Sequence, residues 1–554
     1  MTATGRRVTS LLGVTALVLS GCGGHSHSTP RTARSTRITS VPNIRLGFDP
    51  VARGPITIRG AVKGGTVTVL TSHGLGGSLD PTAASAPDVV SILSGLVTRS
   101  LTQYRYDPIA KQMVLVPDLA TNLGQHNEDY TRWDYTIRPQ ARFEDGSRVS
   151  AWAVARGIRR CRDTREFPTS PCRGVPIREV RVRGHHEVDV FLTRSYPTFP
   201  YLATLPALGP MPLGGEADPA TYARHPLATG PYRISRYRRG HRLVLVRNPQ
   251  WDPATDPGRT AYPTSYDVRA GLSDRQIDHL LRADQGSART TLTYDSVPPH
   301  RLLSSRERQR RLVEGVTPCT TYLAPDNRVI TDPRVRRALI WAYPYRTMLR
   351  LEGLTPGVTA VPATNLLPPG IGGRVPVTVR GHRGFATQPL VSRRILANAG
   401  ALGTPLTLAW GPGTPTGGRE RDVLLAALRR GGFAPQAVGP GVAAAADLQT
   451  RTWCGSWPDG SAWLEPLYQP ASGADVEHFT SSYVGHQVDR IEHAPLDEQP
   501  PWWNRLDHTV LRRWQPIVPV WYVGVAMAHG SAIQGMADDT VLGMPTWTGL
   551  WVTQ

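Results

Sequence analysis

The apolar positions change period along the chain, and each period predicts an element. Thr66-Val67-Thr68-Val69-Leu70 is a β-branched run that reads as the strand opening the folded part. Asp80-Pro81 reads as a helix N-cap followed by Pro at the first helical position. Val89, Ile92, Leu93, Leu96 and Val97 fall at helical spacing and predict one helix from Asp88 to Leu101. Trp133, Tyr135 and Ile137 alternate with polar residues, as a half-buried strand should. Glu179–Arg183 and Glu187–Thr193 read as a hairpin around Gly184-His185-His186. Tyr232–Arg238 and His241–Arg247 read as another around Arg239-Gly240. The later half is more α/β. Pro333–Leu351 reads as a helix and Leu406–Trp410 as a strand. Arg419–Arg430 is a helix stopped by Gly431-Gly432, and Phe433–Val438 is the next strand. That order predicts a βαβ unit.

The N-terminus carries a different pattern. Arg6 and Arg7 precede an apolar run from Leu11 to Leu19, too short to span a bilayer stably. The run ends in Leu19-Ser20-Gly21-Cys22, which resembles the lipobox of bacterial lipoproteins. The resemblance implies cleavage after residue 21 and a diacylglyceryl thioether on Cys22. Residues 22–63 are rich in Gly, Ser, Thr, Arg and Pro and read as a flexible tether. His25 and His27 lie in it as solvated linker residues. No later apolar run approaches the roughly 20 residues of a membrane helix.

Composition changes this picture little. The 554 residues exceed one comfortable core, and 14 Trp with a 40% hydrophobic fraction argue for a folded chain. The formal charge is +20, yet Lys63 and Lys111 are the only lysines. An almost pure arginine complement reads first as the codon bias of a GC-rich genome and second as attraction to an anionic envelope or an acidic ligand. The arginines are spread along the chain without a nucleic-acid-binding signature, so no nucleic-acid partner is expected.

With Cys22 acylated, Cys161, Cys172, Cys319 and Cys454 remain, an even number that suggests two disulfides and allows three pairings. Proximity favours Cys161 with Cys172, a closure worth roughly 3 kcal/mol in the chain-entropy model, and this leaves Cys319 with Cys454. The spacings do not form the CxxC pairs of a zinc site, and no metal or cofactor is expected.

Several segments, in order, resemble the family 5 extracellular solute-binding proteins, the oligopeptide and dipeptide binders of ABC importers. Gly64-Gly65-Thr66-Val67-Thr68-Val69 leads to Ser78-Leu79-Asp80-Pro81, then Leu115-Val116-Pro117-Asp118-Leu119-Ala120. Tyr135-Thr136-Ile137-Arg138 precedes Arg142-Phe143-Glu144-Asp145-Gly146-Ser147. Thr229-Gly230-Pro231-Tyr232, Val246-Arg247-Asn248-Pro249, Asp332-Pro333-Arg334-Val335-Arg336-Arg337-Ala338-Leu339 and Pro519-Val520-Trp521-Tyr522 complete the series. The resemblance implies an α/β, two-lobed periplasmic-binding-protein-like clamp (type II, cluster C) with an extra domain inserted in the first lobe. The expected boundaries are a signal peptide at 1–21 and a first lobe at 64–318, with its insertion at about 96–205. A second lobe at 319–516 and a return to the first lobe at 517–554 complete them. The crossing back falls near Ile517–Val525, and the Cys319–Cys454 pairing is similar to a long disulfide of the second lobe in some peptide binders.

By the same resemblance, a solute in the cleft favours the closed state of a hinge, and the importer reads closure. The implied partners are a peptide or other small solute, the permease and ATPase subunits, and the membrane through the lipid alone, with the chain acting as a monomer on the extracytoplasmic face. His73, Gly74 and Leu75 are expected on one wall. Trp453, Gly455, Ser456 and Trp457, next to Cys454, are expected on the other. Trp410, Trp463 and Trp521 are further aromatic candidates, with core packing an equal reading for Trp463 and Trp521. Peptide binders of this family often place an Asp two residues after the second-lobe Cys, to pair with the ligand's free amine. Here that position is Ser456, and Asp459 lies three residues on. A serine gives a neutral hydrogen bond, and charged ones are roughly twice as strong, so a blocked peptide, a sugar or another secondary solute also fits.

Two rival functions compete with this reading. A secreted hydrolase finds no GxSxG, and neither lysine fits SxxK. His186-Glu187 lacks the second His of HExxH because Val190 stands there. No catalytic residue is therefore expected. A receptor that kept the clamp and lost transport is the second rival.

Overall fold

The computed structural model describes residues 46–553, except 76, 165–171, 173–174, 214–218, 296–304, 377–383, 410–416, 440–445 and 469–476. Cys22 and the tether before residue 46 lie outside the described residues, and so does Trp410.

Thr66–Leu70 is a central strand, buried from Val67 onward, as its dense apolar run requires. It lies parallel to both Ser265–Arg269 and Thr291–Thr293. The hairpin Tyr232–Arg238 and Arg242–Arg247 extends this sheet to five strands. Gly240, at φ 73° in the turn, supplies the left-handed conformation that lets the hairpin close. Asp80 caps a turn and not a helix: its Oδ1 accepts from Thr82 N at 3.0 Å and Thr82 Oγ1 at 2.9 Å. The expected single helix from Asp88 is also shorter. Pro87–Ile92 is α-helical, Leu93–Val97 is one π-helical turn, and the chain is extended by Thr98. Arg99 N donates to Thr229 Oγ1 at 2.8 Å, a partner 130 residues away that takes over from the helical ladder.

A four-stranded antiparallel sheet follows, in the order Gln125–His126, Arg132–Thr136, Glu187–Leu192, Ile177–Arg183. The helix Ala151–Thr164 covers it with Ala151, Val154, Ile158 and Cys161 in the shared core. Cys161 is disulfide-bonded to Cys172 in that core.

The second lobe is built on a six-stranded sheet ordered Ala360–Pro362, Val518–Ala528, Leu312–Pro325, Leu448–Cys454, Pro405–Ala409, Ala434–Val438. Pro405–Ala409 and Ala434–Val438 pair in parallel across the helix Gly417–Arg430, which gives the βαβ unit. Pro333–Leu351 is two helices, Pro333–Ala342 and Tyr345–Leu351. Pro344 lacks an N–H and pushes Tyr343 out of the helical region, to φ −61° and ψ 131°.

Two long strands join the lobes. Leu312–Pro325 and Val518–Ala528 run antiparallel, from Leu312 opposite Ala528 to Leu323 opposite Val518. Val525 and Met527 pack in the core of the five-stranded sheet, with Val313 against it. Leu323, Val518, Val520 and Trp521 pack in the core of the six-stranded sheet. Their register breaks between Val316 and Thr320, where Pro318 has no N–H to give a ladder.

Candidate solute cleft

Past the break, Cys319 lies opposite Cys454 and is bonded to it across a separation of 135 residues. The bond fixes the base of the loop Gly455–Gly460 to the crossing strands, and Gly455 N donates to Pro318 O at 2.9 Å. A Cβ at Gly455 would collide with the Trp463 ring, so glycine is required for the loop to lie over that indole. Trp453 donates from Nε1 to Ala462 O at 2.8 Å, and Trp457 from Nε1 to Ser461 Oγ at 3.0 Å. Both rings are only half-buried. Trp457 packs against the helical core of the second lobe and also against the core under the four-stranded sheet, so it stands between the lobes.

Ser456 is exposed beside it. Asp459 is 2% exposed, and its Oδ1 accepts from Ser461 N at 2.9 Å at the start of the helix Ser461–Tyr468. Burial pushes this carboxyl up to about 6. Among the described residues no Arg or Lys pairs with it. Tyr104 and Tyr201 stack with ring centroids 6.3 Å apart. Burial raises both hydroxyls, and the charge of Asp459 adds to each rise. Asp539 is likewise pushed up to about 6 by burial. Asp538, raised by burial and by Asp539, accepts from Val316 N at 3.1 Å beside the register break.

The lobes also touch directly. Arg194 follows the strand Glu187–Leu192; its Nη1 lies 3.1 Å from Glu492 Oε1 and its Nη2 lies 3.5 Å from Glu465 Oε2. Ser195 Oγ donates to Glu492 O at 3.2 Å. Burial and the adjacent Glu492 hold the Glu465 carboxyl well above the usual range.

On the first lobe, His73 is exposed at the end of the central strand, with Nδ1 3.4 Å from Asp295 Oδ1. That contact raises the imidazole and holds it cationic to higher pH. Ser72 N donates to the same carboxylate. Gly74 is exposed against the Gly240 turn. Leu75, expected on a wall, is a core residue, and so are Trp463 and Trp521, for which core packing was the equal reading. Leu75 is 2% exposed under the five-stranded sheet, Trp463 is fully buried in the helical core, and Trp521 is 2% exposed against Tyr343. Trp463 and Trp521 lie in apolar runs that turn inward, and Leu75 is the single large apolar side chain of its glycine-rich loop, so packing claims all three. Arg194, Glu465 and Glu492 went unread in the sequence, because no local spacing links residues nearly 300 apart.

Two lobes on separate sheets, joined by a pair of crossing strands and facing each other across polar and aromatic side chains, define a two-lobed clamp of the periplasmic-binding-protein kind. The sequence profile of the bacterial extracellular solute-binding proteins, family 5 Middle, matches residues 114–475, and the chain belongs to that family. It is 25% identical over 260 residues to the probable D,D-dipeptide-binding periplasmic protein DdpA of Escherichia coli (strain K12), covering 45% of this chain and 48% of that protein. It is 28% identical over 195 residues to protein XP55 of Streptomyces lividans, covering 34% and 35%. The chain thus spans less than half the length of these curated relatives. The structure of clavulanic acid biosynthesis oligopeptide binding protein 2 superposes with a TM-score of 0.76 at 20% identity. The match covers 91% of this chain and 99% of that one, and it shows a shared fold.

Proposed function

We propose that this chain captures a peptide or related small solute outside the cytoplasm and delivers it to the permease and ATPase subunits of an ABC importer. The supporting observation is the paired crossing of Leu312–Pro325 and Val518–Ala528 between two sheets, with a register break that would serve as the hinge in this reading. The names of DdpA and of the oligopeptide binding protein favour a peptide-like solute. In this reading the lobes are 64–318, with an insertion near 96–205, and 319–516, with 517–554 returning to the first. A lipid on Cys22 holds the monomer at the membrane face. Solute held by His73 and Gly74 on one side and by Trp453, Ser456 and Trp457 on the other stabilises closure, because contacts to both walls exist only when the lobes meet. The role requires no bond to be made or broken.

Native mass spectrometry of the protein purified from its own cells should find a bound peptide-like solute. Finding empty protein in every preparation would count against capture. Cys22→Ala should release the chain from membranes, read by fractionation; unchanged membrane association would remove the lipid anchor.

One observation favours a second reading, a non-peptide ligand or a receptor role. Ser456 stands exposed where a free amine would want a carboxylate, and Asp459 is turned inward onto Ser461 N. Ser456→Asp should therefore raise affinity for free-amine peptides about tenfold, measured by calorimetry. No change would place the amine site elsewhere, and a co-purified sugar would favour the second reading outright.

A further inference from the structure

We propose that Arg194 and Ser195 form a clasp that closes the lobes onto each other independently of any solute contact. Arg194 and Ser195 belong to the segment that leaves the four-stranded sheet, and Tyr196 roots that segment in the core beneath it. Their partners belong to the other lobe: Glu465 on the helix Ser461–Tyr468 and Glu492 at the last position of the helix Ser482–Glu492. The contact therefore exists only while the lobes are together.

Three features make it a clasp and not an incidental surface pair. Glu492 places a carboxylate at a helix C-terminus, where the helix dipole disfavours negative charge. Arg194 neutralises that charge, and Ser195 Oγ supplies a donor to the Glu492 carbonyl, one of the terminal carbonyls a helix leaves without an intrahelical partner. Second, Glu465 and Glu492 face one another, and among the described residues Arg194 is the cation that pairs with both. Parting the lobes removes the cation that both acidic side chains face. Third, the arginine is held in aim: its guanidinium lies 4.9 Å from the Tyr196 ring centroid. The Arg194 side chain is 44% exposed and the two glutamates 16–17%. Water therefore reaches the arginine side of the contact, and the cation can part from it without being stranded in a dry site.

The clasp biases the hinge toward closure, so it sets how much of a solute's binding free energy is spent on moving the lobes. The inference goes beyond solute delivery and would hold for a receptor of the same shape. Its test needs no solute, so its failure leaves the transport reading standing. Small-angle scattering of the full chain without added solute measures the open-to-closed ratio. Arg194→Glu should raise that ratio about fivefold and widen the distance distribution. The swap Arg194→Glu with Glu492→Arg should return most of the molecules to the compact form. A folded Arg194→Glu protein with unchanged scattering would overturn the clasp, as would a swap no more compact than the single variant. Should the reversal impair folding, Arg194→Gln keeps the stem and removes the charge. It should shift the ratio in the same direction by a smaller factor, and no shift there would also overturn the proposal.

Discussion

Arg99 and Arg194 each answer two carboxylates, in opposite surroundings. Arg99 is 1% exposed; its Nε lies 2.7 Å from Asp118 Oδ1 and 3.5 Å from Asp256 Oδ2. Arg259, also 1% exposed, reaches the same two residues at 2.8 and 3.2 Å. The remaining donors of Arg99 go to Thr255 Oγ1 and O and to Asp118 O. Arg259 Nε donates to Ser94 O at 2.8 Å. Two cations and two anions thus cancel in a dry site with their hydrogen bonds made. At the meeting of the lobes a single arginine, its side chain 44% exposed, faces two acidic side chains. A dry, balanced group can only be separated by burying uncompensated charge, so it makes a permanent joint. One whose cation already lies in water exchanges protein for water cheaply, so it suits a joint that opens.

The largest effect should come from breaking the dry group. Asp118→Ala leaves Arg99 and Arg259 facing each other with Asp256 alone between them. It should lower unfolding free energy by about 3–5 kcal/mol in chemical denaturation. A loss below 1 kcal/mol would erase the contrast between the two joints.

The next effect has the opposite sign. The Asp459 carboxyl titrates near 6 in the fold against 3.8 as a free side chain. The folded protein therefore holds more protons between those values, and stability falls as pH rises through that window. Above about pH 6 the full penalty of a buried carboxylate is present, and below about pH 4 it is absent. Asp459→Asn keeps an oxygen for Ser461 N and removes the charge. It should stabilise by on the order of 1–3 kcal/mol at pH 7.5 and by nothing at pH 3.5, read from thermal melts at both. An equal gain at both pH values would mean the carboxylate was never strained.

The smallest effect should be on the stability of the wet joint. Arg194→Ala should change unfolding free energy by less than about 1 kcal/mol, although it acts on the open-to-closed ratio. A loss as large as that of Asp118→Ala would make Arg194 a structural pin.

The hairpins at 177–192 and 232–247 were legible because strand period and a glycine turn are both local. The βαβ order around Gly417–Arg430 was legible for the same reason. The helix from Asp88 was read too long because its end is set by Thr229 and Arg99 together, and the Pro333–Leu351 reading ran through Pro344 on apolar spacing alone. Of the candidate site, the family resemblance proposed Ser456 and Trp457 for one wall, and the fold leaves Ser456 exposed and Trp457 half-buried between two cores. The sequence could not separate them from Trp463, since an indole reads the same whether it packs or projects.

Family, the two hairpins and the βαβ unit were written in the chain itself, because local period and residue chemistry act over a few positions, whereas the order of distant strands in each sheet was not. Which arginine is locked and which is free to let go was decided only in three dimensions. Water access and the pairing of charges a hundred or more residues apart exist only once the lobes are assembled.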